Sequence, residues 1–312
     1  TREIRTRRTS RLLAQTSARL YLLILVTPMQ DSPRKLWTLL WFSAIETLGH
    51  PASFLLLLSA VAGTLVLPLF QFQRFSEDGR LARDCGLATA LMLGFILAIG
   101  AAGRLRNTLQ NGTCTLALTK PLSREIWFFG NLCGAWAAVA FGLCTQGAAV
   151  LLAEAWSPQY HTTGAYAHVS GILQGLGGLI LVLVAAALNN RFRNGRFALT
   201  ATLLLPVSLW GFVIVQPAIH WGVLSALLAI GLNLLQLTTF AYVAVVWLPI
   251  GVTAGITACW LIISLLFLGG AAFLPLDFLA RGGSVPLYTL LGLLPQTFCV
   301  TLLLLWFGRI SL

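Results

Sequence analysis

Acidic side chains are scarce in this chain. Of 312 residues, 9 are Asp or Glu against 20 Lys or Arg, and charged residues of both signs reach only 9%. An average soluble domain carries about 25%. Hydrophobic residues make up 58%, so no soluble core could hide the apolar surface, and lipid is the solvent for most of the chain. No room is left for a large soluble domain. Lysine is nearly missing: Lys35 and Lys120 are the only two. No GxxxxGKS/T run occurs, so the chain lacks a phosphate-cradling P-loop of its own. HExxH, GxSxG and paired carboxylates are absent as well, which leaves no catalytic constellation. No catalytic, cofactor-binding or metal-binding residue is therefore expected. The six cysteines, Cys85, Cys114, Cys133, Cys144, Cys259 and Cys299, are scattered without CxxC or Cys/His clustering. They read as small apolar side chains, not as a disulfide framework or a metal site. His161 and His168 share an expected outer loop but have no third ligand beside them.

What is present is a net charge of +11 carried almost wholly by arginine. In a soluble protein that excess would point to nucleic acid. Here the cations sit between apolar runs, so membrane topology and anionic lipid headgroups account for them, and no nucleic-acid partner is expected. Residues 1–28 form a basic extension, TREIRTRRTSRLLAQTSARL followed by an apolar run too short to cross a bilayer. A targeting peptide, a surface-lying amphipathic helix, and translated sequence upstream of a true start at Met29 are all open readings.

Residues 29–312 read as one all-α polytopic membrane domain. Its first element is an amphipathic interfacial helix at 33–49. Trp37, Leu40, Trp41, Ala44, Ile45 and Leu48 recur at helical spacing, with Arg34 and Lys35 at its start. Gly49-His50-Pro51 ends it. Eight apolar spans come next, Phe54–Phe72, Cys85–Ala102, Ile126–Ala153, Ile172–Leu188, Phe197–Val215, Val223–Leu248, Ile250–Leu274 and Pro286–Phe307, each of about the 17–25 residues a crossing needs or a little more. Only Trp247-Leu248-Pro249 separates the sixth from the seventh. Spans four and five could instead form a re-entrant pair, leaving six crossings. With the N-terminus inside, 16 cations fall in the cytoplasm and 4 outside, as the positive-inside rule requires. Both termini and the loops 103–125 and 190–196 are then cytoplasmic, and 73–84 and 155–170 are external.

Within the spans the polar residues are few: Gln146, Gln174, Asn233, Gln236 and scattered Ser and Thr. Asn233 and Gln236, three apart, could face one helix seam as interhelical hydrogen-bond partners or line a substrate path. Glu154 and Asp277 fall near expected outer span ends, where solvation is the ordinary expectation. The glycine pairs Gly130/Gly134 and Gly251/Gly255 stand one turn apart, a spacing that lets helices approach closely.

The segment 103–125 is the most informative. It is a polar, basic connection between two long apolar runs. Leu105 and Leu109 lie i,i+4 on what reads as a short separate helix bearing Arg104 and Arg106, and Gly112 can end it. Pro121 prevents Leu116–Leu118 from continuing into the next span, which Ser123 can cap. Asn111-Gly112-Thr113, then Leu116-Ala117-Leu118-Thr119-Lys120-Pro121-Leu122-Ser123-Arg124, then Gly130 and Gly134, resemble the signature of type-2 ATP-binding-cassette (ABC) transporter permeases. In that family an E-I-x-x-x-T segment runs into L-L-S-K-P-V-S-R and then G-K-x-x-G at the start of the third span. Ala44 to Pro51 is similar to one branch's entry into its first span. The similarity covers residues 36–135 and is hydropathic alone beyond about 155. The chain departs from the pattern at Thr108, where the family has an acid, and near Asn131, where it has Lys.

The resemblance implies a permease subunit, an exporter, coupled through a cytoplasmic loop to a separate soluble P-loop ATPase that binds ATP and Mg. It also implies a dimer with itself or a sister permease, in the bacterial inner membrane. Arg104, Leu105, Leu109, Gly112, Thr113, Leu116, Lys120, Pro121 and Arg124 would form the docking loop, with the three leucines as an apolar ridge. A non-transporting membrane scaffold is the alternative.

Overall fold

The computed structural model describes residues 32–70, 79–111, 124–157, 169–193, 196–216, 219 and 221–262. Among them every regular element is helical. In chain order these are α1 Ser32–Leu48, α2 Pro51–Val66 with a 3-10 turn at Leu67–Phe70, α3 Arg80–Gln110, α4 Arg124–Ala155, α5 Val169–Arg193, α6 Phe197–Val215 and α7 Val223–Trp247. A further helix, α8, covers Ile250–Ile262. Six of them, α2 to α7, are long and apolar enough to cross a membrane.

These six correspond to the first six expected spans. The α6 helix has the expected bounds even though Pro206 lies inside it, because membrane helices tolerate proline where neighbours satisfy the freed backbone. The helices α5 and α6, of 25 and 19 residues, are each of full crossing length rather than the short limbs of a re-entrant pair. At Leu248 the backbone turns extended (φ −111°, ψ 148°), and Pro249 comes next, so the weakly marked boundary between spans six and seven is a real break. The helix α8 covers the start of the expected seventh span, Ile250–Leu274. The remainder of that span, the eighth span and residues 1–28 lie outside the described residues.

The most buried of the six long helices is α4. It touches α1, α2, α3, α6 and α7. Apolar side chains gain little from leaving lipid for protein, so close packing must hold such a bundle together. Small residues provide it. Gly86 of α3 lies against Val150, Gly142 of α4 against Leu97, Gly94 against Leu234 of α7, and Gly147 against Leu227. The Gly86–Val150 and Leu97–Gly142 contacts fix α3 and α4 as antiparallel neighbours in one continuous register.

The first helix occupies its expected place but turns a different face to the protein. Leu39, Ser43, Ala44, Thr47 and Leu48 are buried, while Trp37 and Trp41 are 64% and 53% exposed. Leu39 packs on Gly130, and Ser43 with the Leu40 carbonyl packs on Gly134. A side chain at Gly134 would collide with backbone, so glycine is what lets α1 run alongside the first turns of α4. The expected stripe of Trp37, Leu40, Trp41, Ala44, Ile45 and Leu48 is therefore split between a protein face and an outer aromatic face. The second glycine pair behaves otherwise: a side chain added at Gly251 or Gly255 would meet nothing within 4 Å among the described residues.

Candidate functional site

The two longest helices are α3 and α4, with 31 and 32 residues. At 1.5 Å per residue they measure about 46 and 48 Å, against about 30 Å of bilayer hydrocarbon. They are joined at their far end by an ion pair. Arg83 donates from a guanidinium NH to Glu154 Oε1 at 3.4 Å, with side chains only 11% and 6% exposed. Arg80 and Asp84 pair one turn apart at the same end. Gly79, in the left-handed region at φ 71°, turns the chain tightly over the Glu154 side chain. The expectation of a solvated Glu154 is thus corrected: it is buried and salt-bridged. Arg80, Arg83 and Asp84, expected in the outer loop, belong to the start of α3, the two arginines to its first turn.

Thirty ångströms from that pair is about 20 residues of helix, which ends near Gly103 on α3 and Gly134 on α4. The stretches beyond those points, 104–110 and 124–133, form a stalk along which α1 and the end of α7 pack. The expected short separate helix is instead the continuous end of α3, which stops at Gln110, where the Asn111 N–H bonds the Asn107 carbonyl. Polar residues remain helical there because protein, not lipid, surrounds them. Leu105 is buried with Leu39, Trp127 and Phe128, and Leu109 packs on the same cluster. These two leucines face inward, and the exposed apolar ridge expected of them is not formed.

Arginines brace the stalk. Arg104 donates to the Thr47 carbonyl at 3.4 Å, and Arg106 donates to the carbonyls of Val245 and Val246 at 3.0 and 3.3 Å. All three carbonyls belong to the last turns of α1 and α7, where helix geometry leaves acceptors without intrahelical partners and cations are favoured. On the other side of the stalk the Asn131 carbonyl accepts from Ser43 Oγ at 3.2 Å and from Tyr242 OH at 3.3 Å. The Tyr242 ring meets Phe128 edge-on, with centroids 6.3 Å apart. Thus α1, α3, α4 and α7 are tied at one level. The two positions that depart from the permease pattern belong to this brace. Thr108 Oγ1 bonds its own helix at Arg104, and the Asn131 amide bonds the Trp127 carbonyl.

Gly112, Thr113, Leu116, Lys120 and Pro121 lie outside the described residues. Arg124 begins α4, and its side chain is likewise not described. Asn233, half-buried, donates to Ala229 on its own helix at 3.1 Å. Among the described residues neither Asn233 nor Gln236 hydrogen-bonds another helix.

Gln146 makes interhelical polar contacts instead. Its amide Nε2 donates to Thr64 Oγ1 at 2.6 Å and to Thr89 Oγ1 at 2.8 Å, linking α4 to α2 and α3. Both threonines donate onward to their own helices, at Ala60 and Gly86. Gln146 Oε1 is buried without a donor among the described residues. Gln146 is visible in the sequence as an isolated polar residue in a span. Its partners, 82 and 57 positions away, are not.

No protein-family model, curated protein or solved structure matches the chain.

Proposed function

We propose that the chain is the membrane-spanning permease subunit of an ABC transporter, driven through the α3–α4 connection by a separate soluble ATPase. The observation that supports this most is the braced stalk. Two antiparallel helices are about 16 Å longer than a 30 Å hydrocarbon layer. They are tied to α1 and α7 by arginine–carbonyl bonds, and the connector with the Thr-Lys-Pro-Leu-Ser-Arg motif joins their tips. A load on such a tip passes to the spans as rigid-body displacement. ATP and Mg are bound on the ATPase, which must bring its own P-loop. Docking falls to the connector residues Thr113, Leu116, Lys120 and Pro121, while Arg104, Leu105 and Leu109 stiffen the stalk. Outward transport and a dimeric assembly accompany this reading, as does a bacterial inner membrane with both termini and the stalk in the cytoplasm.

A photo-crosslinking residue at Thr113 or Leu116 should trap a P-loop ATPase in cells. The reconstituted pair should hydrolyse ATP in vesicles, whereas the chain alone should not. Crosslinks to membrane proteins only, with no hydrolysis gained from any trapped ATPase, would favour the scaffold. Orientation has its own check. Single cysteines at Asn194 and Gln159 should react with an impermeant thiol reagent from opposite sides.

A further inference from the structure

The two ends of the bundle differ in charge, and the difference points to a lipid; exposed aromatics occur at both ends, Phe70 and Trp221 at the far one. At the far end the described charges cancel: Arg80 and Arg83 face Asp84 and Glu154. At the stalk end the described side chains include Arg34, Arg104, Arg106, Arg191 and Arg196, against Glu46 as the described acid. Arg104 and Arg106 are consumed by the brace. Glu46 is shared electrostatically among Arg104, Arg196 and His50. Arg191 and Arg196 remain exposed, at the end of α5 and the N-cap of α6.

Around this end four large aromatics point away from the protein. Trp37 and Trp41 are on α1, Phe192 (79% exposed) is beside Arg191, and Trp247 is at the end of α7. The helices that carry them are linked near this end: the Leu48 carbonyl of α1 accepts from Thr202 of α6, Asn189 of α5 donates to Thr200 of α6, and Arg106 reaches the end of α7. Exposed aromatics near exposed arginines fit the headgroup layer of a bilayer, where rings sit at the interface and guanidinium groups meet phosphate.

We propose that Arg191 and Arg196, flanked by this aromatic belt, form a binding surface for the phosphates of anionic phospholipids in the leaflet at the stalk end. The surface is on α5 and α6, apart from the described ends of α3 and α4. It does not depend on the permease reading.

The test uses the full chain in phosphatidylcholine vesicles containing phosphatidylglycerol, with spin-labelled versions of each lipid reporting the fraction immobilised on the protein. The phosphatidylglycerol label should be preferred at low salt, and molar salt should erase the preference. Each arginine near an anionic surface is worth about a five-fold change in association, so Arg191→Gln with Arg196→Gln should bring the two labels nearly level. Arg191→Lys with Arg196→Lys keeps the charge and should keep the preference, which separates lost binding from lost folding. Arg80→Gln, at the other end, should leave it unchanged. Equal immobilisation of both labels by the parent would overturn the proposal. So would a preference that survives the double Gln substitution, or one that Arg80→Gln weakens as much.

Discussion

The far end and the stalk end of the α3–α4 pair solve the same electrostatic problem in opposite ways. At the far end each charge sits at the wrong terminus of its own helix: Arg83 in the first turn of α3, Glu154 in the last turn of α4. Because the helices are antiparallel, each charge also lies beside the favourable terminus of the other helix. The pair is thus held by its partner's dipole as well as by contact. At the stalk end Arg104 and Arg106 of α3 satisfy carbonyls in the last turns of α1 and α7 directly. The far end is a closed charge pair. The stalk end is a set of cations on backbone acceptors that leaves positive charge over. A closed end suits an anchor, and an open one suits an end that partners can reach.

That contrast is most sharply broken at Glu154. Glu154→Ala leaves the Arg83 guanidinium buried against the end of α4 with Asp84, at 3.7 Å, as its remaining carboxylate, so the cost should approach the lower end of the about 3–5 kcal/mol typical for removing one member of a buried pair. The unfolding equilibrium of the purified chain in mixed micelles should shift by that amount. Replacing both residues, Arg83→Met with Glu154→Leu, should recover most of it. A double variant as unstable as the single one would mean that the pair matters through something other than an orphaned charge.

At the other end the largest effect should come from packing. Leu105 is enclosed by Leu39, Trp127 and Phe128. Leu105→Ala should cost about 3 kcal/mol, in the range for a cavity that neighbours cannot refill. Its local signature should be faster hydrogen exchange in α1 and the first turns of α4, with the far end untouched. If Leu105→Ala instead left stability unchanged and weakened only partner capture, the leucine would be a docking residue and the inward placement would be wrong.

The middle of the bundle should be more forgiving. Gln146→Leu removes two interhelical hydrogen bonds, but Thr64 and Thr89 keep their own-helix acceptors. It also removes a buried acceptor, Oε1, that lacks a donor among the described residues. Interhelical hydrogen bonds in membranes average about 0.6 kcal/mol, so the net change should be under about 1 kcal/mol. A loss several times larger would show that the amide fixes the register of α2, α3 and α4.

These residues also show what can be read from the sequence. Apolar length marks where lipid is, which is why Phe197–Val215 is legible to the residue and α3 is not. The expected Cys85–Ala102 becomes Arg80–Gln110 because both ends of that helix carry polar residues, and these are satisfied by protein at Glu154, Thr47 and Val245. Hydropathy sees only their polarity. Gly130/Gly134 and Gly251/Gly255 have the same spacing, yet the first pair seats α1 while the second meets no neighbour among the described residues. A small-residue motif states that close approach is possible without naming the helix that approaches. The burial of Glu154 is hidden for a related reason: its partner is 71 positions away, and only the antiparallel register of α3 and α4 brings them together.

Asn233 and Gln236 sharpen the comparison from the other direction, with the smallest expected effect on stability. Both are half-buried on α7. Asn233 turns its amide back to Ala229, so Asn233→Leu removes a local bond that the Ala229 carbonyl can spare, since that carbonyl also lies within the helical ladder. The cost should be within about 0.5 kcal/mol, as for a substitution that breaks no packed or interhelical contact. Gln236→Leu should behave alike. Stability alone would then make these residues bland. Transport decides between a seam and a substrate path. If they line a path through the membrane, either substitution should alter substrate-stimulated ATP hydrolysis by the reconstituted complex while the unfolding midpoint stays put. If both properties are unchanged, α7 is a packing helix at this level, and a path must be sought along other faces of the bundle. A large loss of stability would contradict both readings and imply that Asn233 and Gln236 hold a helix outside the described residues.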